Sequence, residues 1–314
     1  MSLATFDLAA FEAAQGPARA EMAAQVDQLC RETGFLVVTG HGVDPNVIDA
    51  LWDAVRRFFA QDADAKQAVA AAHGAPYGYL GPDQEALARS KGVDTPPDLK
   101  ESFSGRPQQS APVGAGAAAI AFSTATTPWP DVPGFQAAWH AYFVALEDLA
   151  ARIMVAFAEA LGLPSDHFAP FHKDPISALR ALHYPATGAD AEDNQQRAGA
   201  HTDYGTLTVL LPQTGTPGLQ IKQGDRWVDV IAPQDAFVIN IGDLMERWTA
   251  NRWVSTLHRV VARPNQPARM SLAFFLQPDW HAEIAPLDGS SAYGPIASGP
   301  YLMQKFHAAA GGRS

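Results

Sequence analysis

His201-Thr202-Asp203-Tyr204-Gly205-Thr206-Leu207-Thr208-Val209-Leu210-Leu211 sets an imidazole and a carboxylate immediately before a β-branched, apolar run. Thr206 to Leu211 reads as a strand. Residues i and i+2 of an extended chain share a face, so His201 and Asp203 can grip one ion. A second imidazole, His258, lies in Ser255-Thr256-Leu257-His258-Arg259-Val260-Val261, another strand pattern, far enough downstream for several hairpins to return it across a barrel. Two imidazoles and one carboxylate leave three positions of an octahedral ion open on one face, where a closed four-ligand site leaves none. Such donors suit ferrous iron, and zinc, cobalt or nickel would also bind them.

The His-x-Asp/Glu spacing recurs at His172-Lys173-Asp174 and His281-Ala282-Glu283, so context has to choose. The first precedes Pro175 in a polar connection and the second falls in a Pro- and Gly-rich tail; both read as turn and surface residues. His41, in a Gly-His-Gly loop, has no second ligand at suitable spacing and reads as structural. Gly215-Thr216-Pro217-Gly218 has no helix after it and reads as a hairpin turn, not a phosphate loop.

Outward from the quoted stretch, the pattern alternates in short runs: Ala178 to Tyr184, Thr206 to Leu211, Leu219 to Ile221, Trp227 to Val230, Ala236 to Ile241, Ser255 to Val261 and Met270 to Gln277. Strands separated by Gly, Pro, Asp and Asn turns predict a double-stranded β-helix, or jelly roll. Upstream the period is helical. Gly134 to Leu163 is a long amphipathic helix ended by Gly162 and Pro164, Asp44-Pro45 opens a helix with an apolar stripe from Val47 to Phe59, and another spans Ala18 to Thr33. Phe35 to Val38 reads as a buried strand and Thr5-Phe6 as a short edge strand. Residues 73–132, rich in Gly, Pro, Ala and Ser, predict an irregular segment with short helical pieces at most, bordering the pocket. The fold class is therefore mainly β with flanking helices: a jelly-roll core with an N-terminal α/β region packed on it. The expected division is 1–132 and 133–314, the second part carrying the long helix and the core.

With 22 Lys+Arg against 33 Asp+Glu, the net charge of −11 argues against nucleic acid and anionic membrane surfaces as partners. Hydrophobic content of 47% and charged content of 18% are those of a globular chain. The one cysteine, Cys30, excludes an intrachain disulfide and reads as a buried small hydrophobe. No secretory leader or spanning run is visible, so a cytoplasmic protein is expected. Oligomeric state is left open by the sequence.

His201-Thr202-Asp203, the distal His258, Arg269-Met270-Ser271 and the preceding Tyr184 together resemble the iron(II)- and 2-oxoglutarate-dependent dioxygenases of the isopenicillin N synthase-like group. Glu32 to Val43, Gly78-Tyr79, Asp98 to Phe103 and Gly242 to Trp248 are similar to other parts of that family, in the same order. The resemblance implies Fe(II) held by His201, Asp203 and His258, which would also be the catalytic centre, with 2-oxoglutarate as co-substrate and dioxygen as oxidant. It makes Arg269 the anchor for the far carboxylate of 2-oxoglutarate, with Ser271 on the same strand face and Tyr184 adding hydrogen bonds. The implied reaction is oxidative decarboxylation of 2-oxoglutarate coupled to hydroxylation, desaturation or ring closure of a small molecule. Plant members often carry Asn two residues before the tyrosine, where this chain has Leu182. His183 alternates to the other strand face, and Phe275 is a candidate pocket wall. Two alternatives keep the metal: an iron oxidase of the same fold that does not use 2-oxoglutarate, and a non-catalytic metal-holding β-barrel that binds a small ligand.

Overall fold

A computed structural model describes residues 3–82, 84–93, 95–188 and 195–310. The N-terminal part runs β1 (Thr5–Asp7), α1 (Leu8–Ala13), α2 (Gly16–Glu32), β2 (Phe35–Thr39), α3 (Pro45–Phe59) and α4 (Ala63–Gln67). It continues with β3 (Gly78–Leu80), β4 (Glu101–Gly105) and α5 (Ala117–Ser123). Asp44 caps α3 as its sequence requires, its side chain accepting from the Asn46 amide with Pro45 in the first turn. The strands β3 and β4 correct the expectation of an irregular 73–132 segment. Their pairing with each other and of β4 with the next strand of the sheet, not local propensity, makes them extended.

After the long helix α6 (Phe135–Ala160) come β5 (Ala178–Tyr184), β6 (Ala198–His201), β7 (Leu207–Pro212), β8 (Leu219–Gln223), β9 (Arg226–Asp229) and β10 (Phe237–Ile241). The chain then forms α7 (Asp243–Trp248), β11 (His258–Val260), β12 (Arg269–Leu276), β13 (Glu283–Ile284), β14 (Ile296–Ala297) and α8 (Ser298–Ala310). The expected Ser255–Val261 strand contracts to β11, and the tail read as Pro- and Gly-rich closes in the helix α8.

Eight strands form one sheet in the order β1-β2-β10-β7-β12-β5-β4-β3, and four form a second in the order β6-β11-β8-β9. These two sheets are the jelly roll. Strands on both sides of residue 132 build the larger one. Residues 215–218 do not make a hairpin: β7 belongs to the large sheet and β8 to the small one, so this turn carries the chain across the sandwich.

Each central strand of the large sheet is two-faced. Leu179 and Ala181 of β5, Leu207, Val209 and Leu211 of β7, Phe237, Ile239 and Ile241 of β10, and Leu272, Phe274 and Leu276 of β12 pack with α2, α3 and α6 into the main core. The intervening residues, among them Leu182, Tyr184, Val238 and Ala273, face the small sheet. The helices thus hold one face of the sheet by burial of apolar area, leaving the other to line a cavity between the sheets. Cys30 is fully buried in the helical core. Among the described residues no helix is long and apolar enough to cross a membrane.

Candidate metal and co-substrate site

His201 ends β6, and His258 begins β11 directly opposite it in the antiparallel register. Asp203 follows in the turn toward β7. Its carbonyl accepts from the Asp243 amide at 2.8 Å and that of Gly205 from the Leu244 amide at 3.1 Å, so the first turn of α7 fixes this loop. One donor atom from each of His201, Asp203 and His258 lies within 4.8 Å of the others. Asp203 Oδ1 is 3.8 Å from His201 Nε2 and 3.7 Å from His258 Nε2.

The surroundings leave these three atoms free. His201 Nδ1 faces the Gly199 carbonyl at 2.7 Å and His258 Nδ1 the Thr256 carbonyl at 3.1 Å, so each Nδ1 carries the proton and each Nε2 presents a lone pair. Asp203 Oδ2 accepts from Thr208 Oγ1 at 2.5 Å and Asn240 Nδ2 at 2.7 Å, which leaves Oδ1 unshared. Burial, reinforced by the neighbouring His258, drives the His201 pKa down and keeps it neutral. For Asp203 burial opposes ionisation, but both histidines and the hydrogen bonds from Asn240 and Thr208 outweigh it and hold the carboxyl below its usual range. Neutral imidazoles and an ionised carboxylate are the protonation states a divalent cation requires, and the three donors fit one.

Arg269 heads β12, register partner of Tyr184 on β5, with its guanidinium 5.2 Å from the Tyr184 ring centroid. It is 2% exposed, and its Nε and Nη1 have no hydrogen-bond partner among the described residues. A buried cation with unused donors is costly unless an anion joins it. This removes the surface ion pair, the ordinary role of a strand arginine, as an account of Arg269. Ser271 follows on the same face and is 2% exposed. Tyr184, Arg269, Ser271 and the three metal-type donors all line one cavity of about 860 Å³ between the sheets.

Phe275 lines the same cavity, as does Leu182. His183 points away, its Nδ1 2.7 Å from Glu101 Oε1. The other histidine motifs are engaged elsewhere: His172 Nδ1 with the Phe168 carbonyl and His281 Nε2 with that of Val113. His41 Nε2 meets the Asp235 carbonyl at 2.7 Å, and its Nδ1 accepts from the Val43 amide. Asn240 and Thr208 escaped the sequence reading. Asn240 carried a signal, the one polar residue in Phe237-Val238-Ile239-Asn240-Ile241.

A model of the 2OG-Fe(II) oxygenase superfamily matches residues 175–278, and a model described as non-haem dioxygenase in morphine synthesis N-terminal matches residues 3–131. The chain is 30% identical over 282 residues to the 2-oxoglutarate-Fe(II) type oxidoreductase hxnY of Emericella nidulans, covering 86% of this chain and 77% of that protein. It is 29% identical over 315 residues to validamycin A dioxygenase of Streptomyces hygroscopicus subsp. limoneus, covering 97% and 86%. A full-length Neurospora crassa protein, crystallised in complex with alpha-KG and thymine, superposes with a TM-score of 0.84 at 28% identity, covering 98% of this chain and 96% of that one.

Proposed function

Because the chain belongs to the 2OG-Fe(II) oxygenase superfamily, we propose that His201, Asp203 and His258 hold its iron and that Arg269, Ser271 and Tyr184 hold its 2-oxoglutarate. The protein is an oxidoreductase that couples oxidative decarboxylation of 2-oxoglutarate to hydroxylation, desaturation or cyclisation of a small molecule at mononuclear non-haem iron. Bound iron supplies the oxygen activation. One observation carries the residue assignment: three donor atoms converge while every other polar atom of the same side chains is already engaged.

The chain's own groups then have distinct tasks. Gly199 and Thr256 carbonyls set the two imidazole tautomers, and Asn240 with Thr208 aims Asp203 Oδ1. Arg269 offers its unpartnered guanidinium to the far carboxylate of the co-substrate, a charge-assisted contact in a site that excludes water. The apolar wall of Leu182, Ala273 and Phe275 shields the cavity and orients the substrate beside the metal. Residues 133–314 carry the iron and co-substrate groups in this reading, and residues 1–132 border the substrate end. We place the enzyme in the cytoplasm, where a reducing milieu keeps iron ferrous.

Incubation with ferrous iron, ascorbate and labelled 2-oxoglutarate tests the assignment. Labelled succinate from the wild type and none from His258→Ala or Asp203→Ala is the expected result. Succinate formation that survives either substitution overturns it.

A further inference from the structure

The cavity does not end at the metal. Along β5 the inward positions are Tyr184, Leu182 and Arg180, and Arg180 pairs in register with Ala273 of β12 and Ser104 of β4. Arg180 stands four residue steps along the strand from Tyr184, about 13 Å at roughly 3.3 Å per step, so Arg180 marks the end remote from the co-substrate anchor. Its Nε donates to Ser104 Oγ at 2.8 Å and its Nη1 reaches Glu85 Oε1 and Oε2 at 3.2 and 3.3 Å. Behind this pair, buried Lys100 holds Glu85 Oε2 at 2.9 Å and Asp98 Oδ2 at 2.8 Å.

Two cations and two carboxylates thus close a charge-balanced network, of which only Glu85 and Arg180 line the cavity. Their side chains are 23% and 19% exposed. Among the described residues Arg180 Nη2 has no partner, and it is not sealed from the cavity. Glu85 Oε1 accepts from Arg180 alone among them, so a lone pair remains. Burial opposes the ionisation of Glu85, but Arg180 and Lys100 outweigh it and keep the carboxyl charged. Arg89, exposed at the rim, donates to the Thr95 carbonyl.

We propose that Arg180 and Glu85 are the specificity-determining residues of the substrate end, and that together they take a neutral molecule presenting a hydrogen-bond acceptor beside a donor, as an amide, lactam or ureide edge does. The guanidinium donates to the carbonyl and the carboxylate accepts from the N–H. A net-charged substrate is disfavoured, since its charge would meet a pair that is already neutralised and leave one partner unmatched in a half-buried site. This inference rests on the metal and co-substrate assignment above.

The test is calorimetric titration of the iron- and 2-oxoglutarate-loaded protein under nitrogen with three bicyclic aromatic probes: 2-quinolone, 2-naphthoate and 2-(aminomethyl)naphthalene. The lactam is expected to bind about 10-fold or more tightly than either charged probe, the effect of one unmatched polar group. Glu85→Gln should move the preference toward 2-naphthoate and Arg180→Gln toward the amine, because each uncovers one charge. A wild type that prefers a charged probe, or that fails to bind 2-quinolone at millimolar concentration, overturns the proposal, as do two folded variants that both keep the wild-type ranking. Should a variant fail to fold, the wild-type ranking still decides. Titration of 2-oxoglutarate into the iron-loaded wild type separates the two readings: its failure removes the co-substrate site, whereas its success beside a wrong ranking removes only this proposal.

Discussion

His258 faces His201 across the β6–β11 pair, the imidazole centroids 4.3 Å apart and both Nδ1 atoms turned to backbone carbonyls. Two Nε2 lone pairs this close, with Asp203 Oδ1 beside them, can share one cation. His258→Ala should therefore abolish stoichiometric iron binding, measured by metal analysis after anaerobic loading and desalting. His172→Ala, which removes a ring whose Nδ1 faces the Phe168 carbonyl beside Trp248, should leave iron content unchanged. The reverse pattern would move the metal elsewhere.

Asn240 donates to Asp203 Oδ2, the oxygen that does not face the two histidines. Asn240→Leu keeps the volume and loses the hydrogen bond, freeing the carboxylate to rotate. Iron affinity should fall about 10- to 100-fold, the usual cost of losing such a support, with the melting temperature nearly unchanged. Competition with a chelator measures it, and unchanged affinity would show that Thr208 alone orients Asp203.

The three donors of the proposed metal site were legible as candidates because few residue types bind transition metals and His201 and Asp203 stand two residues apart. The strand under His201 was not. Ala198-Gly199-Ala200 has no β-branched residue, and β6 is extended because β11 pairs with it and the segment Leu87–Lys91 packs against it. A Cβ at Gly199 would stand 2.8 Å from the Ala88 amide, so the small residues answer a tertiary contact and not a propensity. Arg180 and Glu85 were hidden for a related reason: they are 95 residues apart, Glu85 in the connection that follows β3 and Arg180 on β5, and nothing local in either stretch points to the other.

Arg269 and Gly218 give a graded test of the co-substrate anchor. Arg269→Ala should weaken 2-oxoglutarate binding about 100-fold, as expected for two charge-assisted hydrogen bonds, while iron affinity holds. Equal loss of both would make the arginine structural. A Cβ at Gly218 would lie 3.2 Å from Arg269 Nη1, and φ of +141° disfavours any other residue there. Gly218→Ala should push the guanidinium aside and raise KM for 2-oxoglutarate several-fold with a smaller change in kcat. An equal fall in kcat would mean that the strain spreads to the metal ligands.

Glu101 supplies a pH dependence outside the cavity lining. Its carboxylate, 6% exposed, accepts from Lys66 Nζ at 2.8 Å and Tyr79 Oη at 2.6 Å and meets His183 Nδ1 at 2.7 Å. Burial alone would raise its pKa, but His183, Lys66 and Tyr79 outweigh that and bring it down to about 2 from 4.5. A folded value below the unfolded one means stability that is complete above pH 4.5 and lost as the pH falls from there toward 2. The linkage is worth roughly 3 kcal/mol at neutral pH. Glu101→Gln should cost up to about that much at pH 7 in urea titrations, leaving Lys66 without its counter-charge. The difference between wild type and variant should then shrink as the pH is lowered through the same window, because the wild type becomes neutral at that position too. A difference that stays constant from pH 7 to pH 3 would mean that the cluster acts through packing, with Phe59 stacked on His183, and not through charge.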